Sequence, residues 1–153
     1  MSYRIDGWMY VYMTNELGVK STNLDELTKA KIVHLILNRK TEEALRTLGK
    51  FYNRTPPEIV VGTIKGKRRS VYAVYVQKEN KIYVINSDIF CNPFVVLHEF
   101  YHHIRTKGGV HRGSEKHANM FARGFVDAYK KLAKHEQKDM TTYSFQNSVF
   151  FAE

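Results

Sequence analysis

Residues 92–105 read Asn-Pro-Phe-Val-Val-Leu-His-Glu-Phe-Tyr-His-His-Ile-Arg and contain the pattern His-Glu-x-x-His at positions 98–102. Asn92 is a good N-cap, and Pro93 suits the first position of a helix. Two glycines after residue 107 are a typical stop signal. The sequence therefore predicts a helix from about 93 to 105. Its buried side is expected to carry the apolar residues Phe94, Val95, Leu97, Tyr101 and Ile104.

The His-Glu-x-x-His pattern places three polar side chains in a defined arrangement on this helix. Residues four apart share one face, so the imidazoles of His98 and His102 can converge on one metal ion. Glu99 lies about 100° further round the helix and can hold a water molecule beside the metal instead of binding the metal itself. The pattern indicates a metal site, and the alternative is an exposed polar face of a helix.

A catalytic zinc ion usually has three protein ligands and one open position, so the two histidines need a partner. Glu115 is favoured, because it follows a glycine-rich reversal at 106–113 that can bring it back over the first helix. Asn119 lies one turn beyond it and can hydrogen-bond a ligand histidine. His111 and His117 are weaker candidates, because His111 sits in a loop that looks mobile and His117 lies about 160° from the face of Glu115 and Asn119.

The remaining pattern predicts helices before and after the β segments of the chain. One helix starts at Asn23, which forms a capping pair with Glu26, and a second starts at Thr41. A long helix runs from Glu115 to about Lys134, while residues 8–13 fit either a strand or a helix.

Three β-prone segments separate the early helices from the motif. They span residues 58–64, 71–77 and 81–86, and the second and third are joined by a short Lys-Glu-Asn turn that predicts a hairpin. The segment 81–86 leads into the motif helix, so its edge could accept an extended peptide as a further strand. Pairing alone is an equally good reading of that segment.

Composition restricts the class of protein. A chain of 153 residues that is 43% hydrophobic and 13% aromatic is long and apolar enough to form a globular domain. Cys91 is the single cysteine, which excludes an internal disulfide and fits a reducing interior. No stretch reaches the roughly 18 apolar residues of a membrane span, and residues 1–7 lack the apolar core of a secretory signal. We expect a soluble, cytoplasmic protein without a membrane partner.

The net charge of +9 favours polyanions or acidic partners. Basic residues gather in the turn at 65–69 and again at 130–138. The helix pair at 23–54 raises the question of a helix-turn-helix, but its second helix is not especially basic. We therefore expect at most weak, non-specific binding of nucleic acid.

Two motifs resemble those of a known family. His98-Glu-Phe-Tyr-His-His103 followed by Glu115-Lys-His-Ala-Asn-Met-Phe-Ala122 is similar to the pattern of the ImmA/IrrE-type zinc metallopeptidases, which are small gluzincin-like proteins. The similarity covers about residues 55–130. It implies that Zn²⁺ is bound by His98, His102 and Glu115 and that Glu99 is the general base. Tyr101 stands at a position that is often small in that family.

The sequence patterns and the resemblance together predict an α+β fold, a small zincin-like domain with N-terminal helices, a three-stranded and mainly antiparallel sheet, the HExxH helix and a long C-terminal helix. We expect one metallopeptidase-like domain over residues 1–153. It divides into a helical part at 1–54, a zincin core at 55–137 and a tail at 138–153.

The expected function is zinc-dependent hydrolysis of peptide bonds in a specific intracellular protein. An oxyanion donor is also needed, and Tyr101, His103 and His111 are the candidates. The alternative is a metalloprotease-like regulatory or nucleic-acid-associated binding protein whose zinc site is structural or idle.

Overall fold

The computed structural model describes residues 24–62, 71–107 and 109–149, and within them the fold is mixed α+β. The predictions at 8–13, at Asn23 and at 65–69, and the last residues of the tail, lie outside the described residues. The helices are α1 (Glu26–Leu37), α2 (Thr41–Tyr52), α3 (Ser87–Phe90), α4 (Pro93–Arg105) and α5 (Glu115–Val149). The strands are β1 (Glu58–Val61), β2 (Ala73–Val76), β3 (Lys81–Val84), β4 (Thr106–Lys107) and β5 (Val110–His111).

The main sheet has the strand order β1-β3-β2, with β3 in the centre. Strands β2 and β3 are antiparallel and are joined through a 3-10 turn at Gln77–Glu79, so the predicted hairpin is confirmed. Strands β1 and β3 are parallel, and the expectation of a mainly antiparallel sheet is therefore wrong. The physical reason is the strand order, since β1 and β2 lie at opposite edges of the sheet and β3 lies between them, antiparallel to β2 and parallel to β1.

The central place of β3 also corrects the expectation that residues 81–86 present a free edge. Strand β3 pairs with β1 on one side and with β2 on the other. Strand β2 lies at an edge of the sheet, and it packs against α4. The strand edge beside the motif helix is therefore that of β2.

Helix α4 has the predicted boundaries because both of its ends carry clear signals. The Asn92 side chain accepts a hydrogen bond from the Val95 N–H at 3.2 Å, and Pro93 occupies the first turn. The helix ends at Arg105. Val96, Leu97 and Phe100 are fully buried and anchor α4 in the core. Burial of each such side chain contributes about 1.5–3 kcal/mol.

Two other helix ends differ from the prediction. The N-cap of α1 is Asp25, two residues after the predicted start, since its carboxylate accepts a hydrogen bond from the Thr28 N–H at 2.6 Å. The predicted end of the last helix near Lys134 is wrong, because α5 continues to Val149. No glycine or proline occurs after Gly124 to interrupt it. Its 35 residues give a length of roughly 52 Å. The predicted boundary between the zincin core and the tail, at residue 138, falls inside this helix.

One continuous core joins the described elements. Helix α1 packs along α5, and α4 packs on the same helix, so the N-terminal helices share the core of the sheet and the motif helix. None of the helices in the described ranges combines the length and apolarity of a membrane span. The largest fully buried side chains include Ile32, Ile36, Leu45, Leu48, Ile82, Leu97, Phe100 and Phe125.

Candidate metal centre

Helices α4 and α5 bring three potential ligands together. The Nε2 atoms of His98 and His102, one helical turn apart on α4, lie 3.1 Å from each other. Glu115 is the first residue of α5, and its two carboxylate oxygens lie 3.0 Å from His98 Nε2 and 3.0 Å from His102 Nε2. One ligand atom from each residue lies within 4.8 Å of the others, so this group could hold a metal ion.

The spacing and chemistry of the three donors fit a small tetrahedral cation. A tetrahedral ion with bonds of about 2.0–2.1 Å separates its ligand atoms by roughly 3.3 Å, close to the 3.0–3.1 Å observed between the three residues. Two imidazoles and one carboxylate also leave a fourth position open. Burial lowers the pKa of His102, although the negative charge of Glu115 opposes this shift. The lowered pKa favours the neutral imidazole that a metal requires.

Access to this group is one-sided. The His98 and His102 side chains are each only 15% exposed, whereas the Glu115 side chain is 76% exposed. The histidines are therefore set into the body of the protein and the carboxylate stands at its surface. Solvent can therefore reach the group from the side of Glu115.

Asn119 fixes the orientation of His98. Its Oδ1 lies 2.9 Å from His98 Nδ1, and an amide oxygen only accepts hydrogen bonds. The Nδ1 atom of His98 therefore carries the proton, and its Nε2 atom presents a lone pair toward His102 and Glu115. This is the position that the sequence predicts for Asn119, one helical turn beyond Glu115.

His111 lies behind His102 and outside the group of potential ligands. Its Nε2 atom is 2.8 Å from His102 Nδ1, the nitrogen that faces away from Glu115. With His102 Nδ1 as the donor, His102 Nε2 presents its lone pair to the group, as His98 does. His117 is also outside the group, since its Nδ1 atom lies 2.7 Å from the Ser114 hydroxyl at the start of α5.

The segment that carries His111 contains two short antiparallel strands, where the sequence predicted only a glycine-rich loop. Thr106 pairs with His111 across strands β4 and β5, and Gly109 takes the positive φ of +83° in the turn. The Thr106 hydroxyl donates to the His102 carbonyl at 2.7 Å, which ties the hairpin to α4. The signal for this hairpin was the Gly-Gly pair between two short β-compatible segments.

Glu99 lies between α4 and the sheet. Its Oε2 atom accepts a hydrogen bond of 2.8 Å from the backbone N–H of Tyr75 in strand β2. The sequence does not point to Tyr75, because the contact depends on the register of β2 against α4. The Glu99 carboxylate is therefore held against the edge strand β2.

The structure separates the three residues predicted as oxyanion donors. His103 is 7% exposed and its Nδ1 atom lies 3.0 Å from the Tyr75 hydroxyl. Burial lowers the pKa of His103, the Arg54 charge lowers it further, and the Thr55 backbone opposes both. His111 bonds to His102, as described above. Tyr101 packs beside the His102 ring, with 6.1 Å between ring centroids.

No family model, curated protein or solved structure matches this chain. The similarity to the ImmA/IrrE-type peptidases therefore rests on the two motifs at residues 98–103 and 115–122. The described residues show in addition that these two motifs lie next to each other in space.

Proposed function

We propose that this chain is a zinc-dependent metallopeptidase of the ImmA/IrrE type that hydrolyses peptide bonds of a specific intracellular protein. The observation that carries the proposal is the convergence of His98, His102 and Glu115. Glu99 directly follows His98 on α4. Two histidines and one glutamate are a ligand set used by catalytic zinc in peptidases. A purely structural zinc site would have four protein ligands and no need of an adjacent carboxylate.

The roles of the residues follow from their positions. When bound, zinc lowers the pKa of a coordinated water molecule to about 7 and polarises the scissile carbonyl. Glu99 accepts the proton of the attacking water and delivers it to the leaving amine. Asn119 and His111 hold the two ligand histidines in the orientation that turns their Nε2 atoms toward Glu115.

Strand β2 is the proposed site for the peptide substrate. The Tyr72 carbonyl accepts from the Ile85 N–H of the neighbouring strand segment, and alternation along the strand then turns the backbone groups of Ala73 and Tyr75 outward. Among the described residues no strand pairs with this outer side. The Tyr75 N–H is already bonded to Glu99, so an extended peptide would add through main-chain hydrogen bonds to Ala73 and to the Tyr75 carbonyl, and would pass beside Glu99.

Tyr101 is the proposed oxyanion donor. On an α-helix it lies about 60° from His98 on the side opposite Glu99, so the base and the donor flank the metal ligands. A side chain at Gly113 would collide with the Tyr101 ring, since an added Cβ would lie 2.6 Å from its Cε1 atom. Glycine at this position leaves room for Tyr101 next to the ligands.

The proposal can be tested without knowledge of the natural substrate. Purified protein is stripped of metal, reloaded with one equivalent of zinc and incubated with a proteome-derived peptide library, and mass spectrometry identifies cleaved peptides. We expect cleavage by the zinc-loaded protein, and none by the metal-free protein or by zinc-loaded Glu99→Gln. Equal cleavage by the wild type and by Glu99→Gln, or no cleavage by any form, would contradict a peptidase.

A further inference from the structure

A set of hydrogen bonds links α4 to the edge strand through one tyrosine. The Tyr75 hydroxyl lies 3.0 Å from His103 Nδ1 and 3.2 Å from Asn80 Oδ1. Because the amide oxygen only accepts, the hydroxyl donates to Asn80 and accepts from the Nδ1–H of His103. Asn80 is fixed in turn, since its Nδ2 donates to the Pro56 carbonyl at 3.3 Å and its own carbonyl accepts from the Glu58 N–H at 3.0 Å. The hydroxyl of Tyr75 is therefore held from two sides.

The same residue also holds Glu99. The Tyr75 backbone N–H donates to Glu99 Oε2 at 2.8 Å. Glu99 and His103 are four residues apart on α4 and share one face, about 6 Å apart along the helix axis. Tyr75 therefore contacts the helix at two points, one turn apart. Two contacts fix the position of Tyr75 on the helix more closely than one contact would.

The burial of His103 indicates that its side chain serves this contact. Its ring meets Tyr75 edge-on at 5.2 Å and Phe100 at 5.5 Å between centroids. Its Nε2 atom is buried and makes no well-formed hydrogen bond among the described residues, although the Thr55 backbone lies near the ring. A buried polar atom without a well-formed hydrogen bond is costly, and an apolar side chain would avoid that cost. The Nδ1–H donated to Tyr75 is what an apolar residue would not provide.

We propose that Tyr75, held by His103 and Asn80, is a positioning residue that orients the carboxylate of Glu99 for proton transfer. The inference rests on the peptidase function proposed above. A base held in its reactive orientation accelerates the chemical step, while the affinity for the substrate depends on other contacts. Loss of the Tyr75 hydroxyl should therefore lower kcat and leave KM little changed.

Tyr75→Phe tests the inference, with Tyr83→Phe as the matched control. Tyr83 stands on the adjacent strand β3, and its hydroxyl donates to the Glu79 carboxylate and not to α4. The assay uses zinc-loaded variants and a quenched fluorescent peptide built from the best-cleaved sequence of the library. We expect Tyr75→Phe to lose about tenfold in kcat, and Tyr83→Phe to keep the wild-type value. Zinc content and melting temperature, measured for both variants, separate this effect from loss of metal or fold.

Replacement of His103 provides a second readout. His103→Asn keeps an N–H donor near the position of Nδ1, whereas His103→Leu keeps the burial and removes the donor. We expect His103→Asn to retain more of the wild-type kcat than His103→Leu.

The outcomes separate the inference from the function on which it rests. Equal kcat values for Tyr75→Phe and Tyr83→Phe, together with loss of hydrolysis in Glu99→Gln, would reject the positioning role alone. Hydrolysis that survives in Glu99→Gln would reject the peptidase proposal and the positioning role with it.

Discussion

His111 Nε2 lies 2.8 Å from His102 Nδ1, on the face of that ring turned away from Glu115. The histidine that the sequence offers as a rival metal ligand therefore supports a candidate ligand instead. A second support, Asn119, occupies the equivalent position on His98 at 2.9 Å. Each ligand histidine thus has its own partner, which sets its tautomer and its orientation.

This arrangement predicts a ranking of zinc affinities. Glu115→Ala removes one of the three proposed zinc ligands. It should therefore weaken zinc binding more than replacement of His111 or Asn119, which only support the histidines. His111→Ala and Asn119→Ala should each lower the affinity about tenfold, as is typical for the partner of a ligand histidine. His117→Ala is the matched control, since His117 contacts Ser114 and not a ligand, and it should bind zinc as the wild type does.

Competitive titration against a chromophoric chelator measures this ranking. A weaker affinity in His111→Ala than in Glu115→Ala would show that the third ligand has been assigned to the wrong residue.

Glu99→Gln should keep zinc and fold but lose hydrolysis. The amide can hold a water molecule but cannot accept its proton, and general-base catalysis contributes about 10²–10⁴-fold to the rate. Cleavage of the library-derived peptide, normalised to zinc content, measures the effect. A Glu99→Gln rate close to that of the wild type would exclude Glu99 as the base.

Two glycines predict opposite effects on stability. A Cβ at Gly49 in α2 would lie 2.8 Å from the Arg54 carbonyl and 3.2 Å from Pro56, so Gly49→Ala should destabilise the protein by about 1–3 kcal/mol. Gly124 in α5 has nothing within 4 Å of an added Cβ, so Gly124→Ala should stabilise it by about 0.5–1 kcal/mol. Urea unfolding followed by circular dichroism measures both changes in the free energy of unfolding. If both substitutions stabilised the protein, or both destabilised it, the packing described at these two glycines would be contradicted.

The positive charge should produce binding of nucleic acid that depends on salt and not on sequence. Lys130, Lys134 and Lys138 are exposed on α5, where they can contact phosphates but have no base-reading geometry to support them. Any affinity for duplex DNA should fall steeply between about 50 and 200 mM salt and be equal for unrelated duplexes. Fluorescence anisotropy measures this. A strong preference for one duplex at physiological salt would contradict this prediction and would indicate that the α1–α2 helix pair recognises DNA sequence.

Local signals predicted the motif helix and much of the candidate site. Asn92 and Pro93 define where α4 begins, and helical spacing alone places His98 and His102 on one face. Glu115 and Asn119 follow from a short reversal and a second helix. These features depend on a few neighbouring residues, so they can be read without knowledge of the rest of the chain.

The features that the sequence did not predict depend on contacts between distant segments. The parallel pairing of β1 with β3 requires the whole connection between the two strands, and the contact of Tyr75 with Glu99 requires the register of β2 on α4. The end of α5 was missed for a different reason. The polar sequence after Lys134 lacks an apolar stripe, but it also lacks a glycine or proline to stop the helix.

Zinc content is the measurement that tests the central claim most directly, namely that His98, His102 and Glu115 form one metal site. Wild type, His102→Ala and the control His117→Ala are purified under the same conditions, equilibrated with zinc, desalted and analysed for metal by mass spectrometry. We predict about one zinc per chain in the wild type and in His117→Ala, and almost none in His102→Ala. Full retention of zinc by His102→Ala would contradict the site.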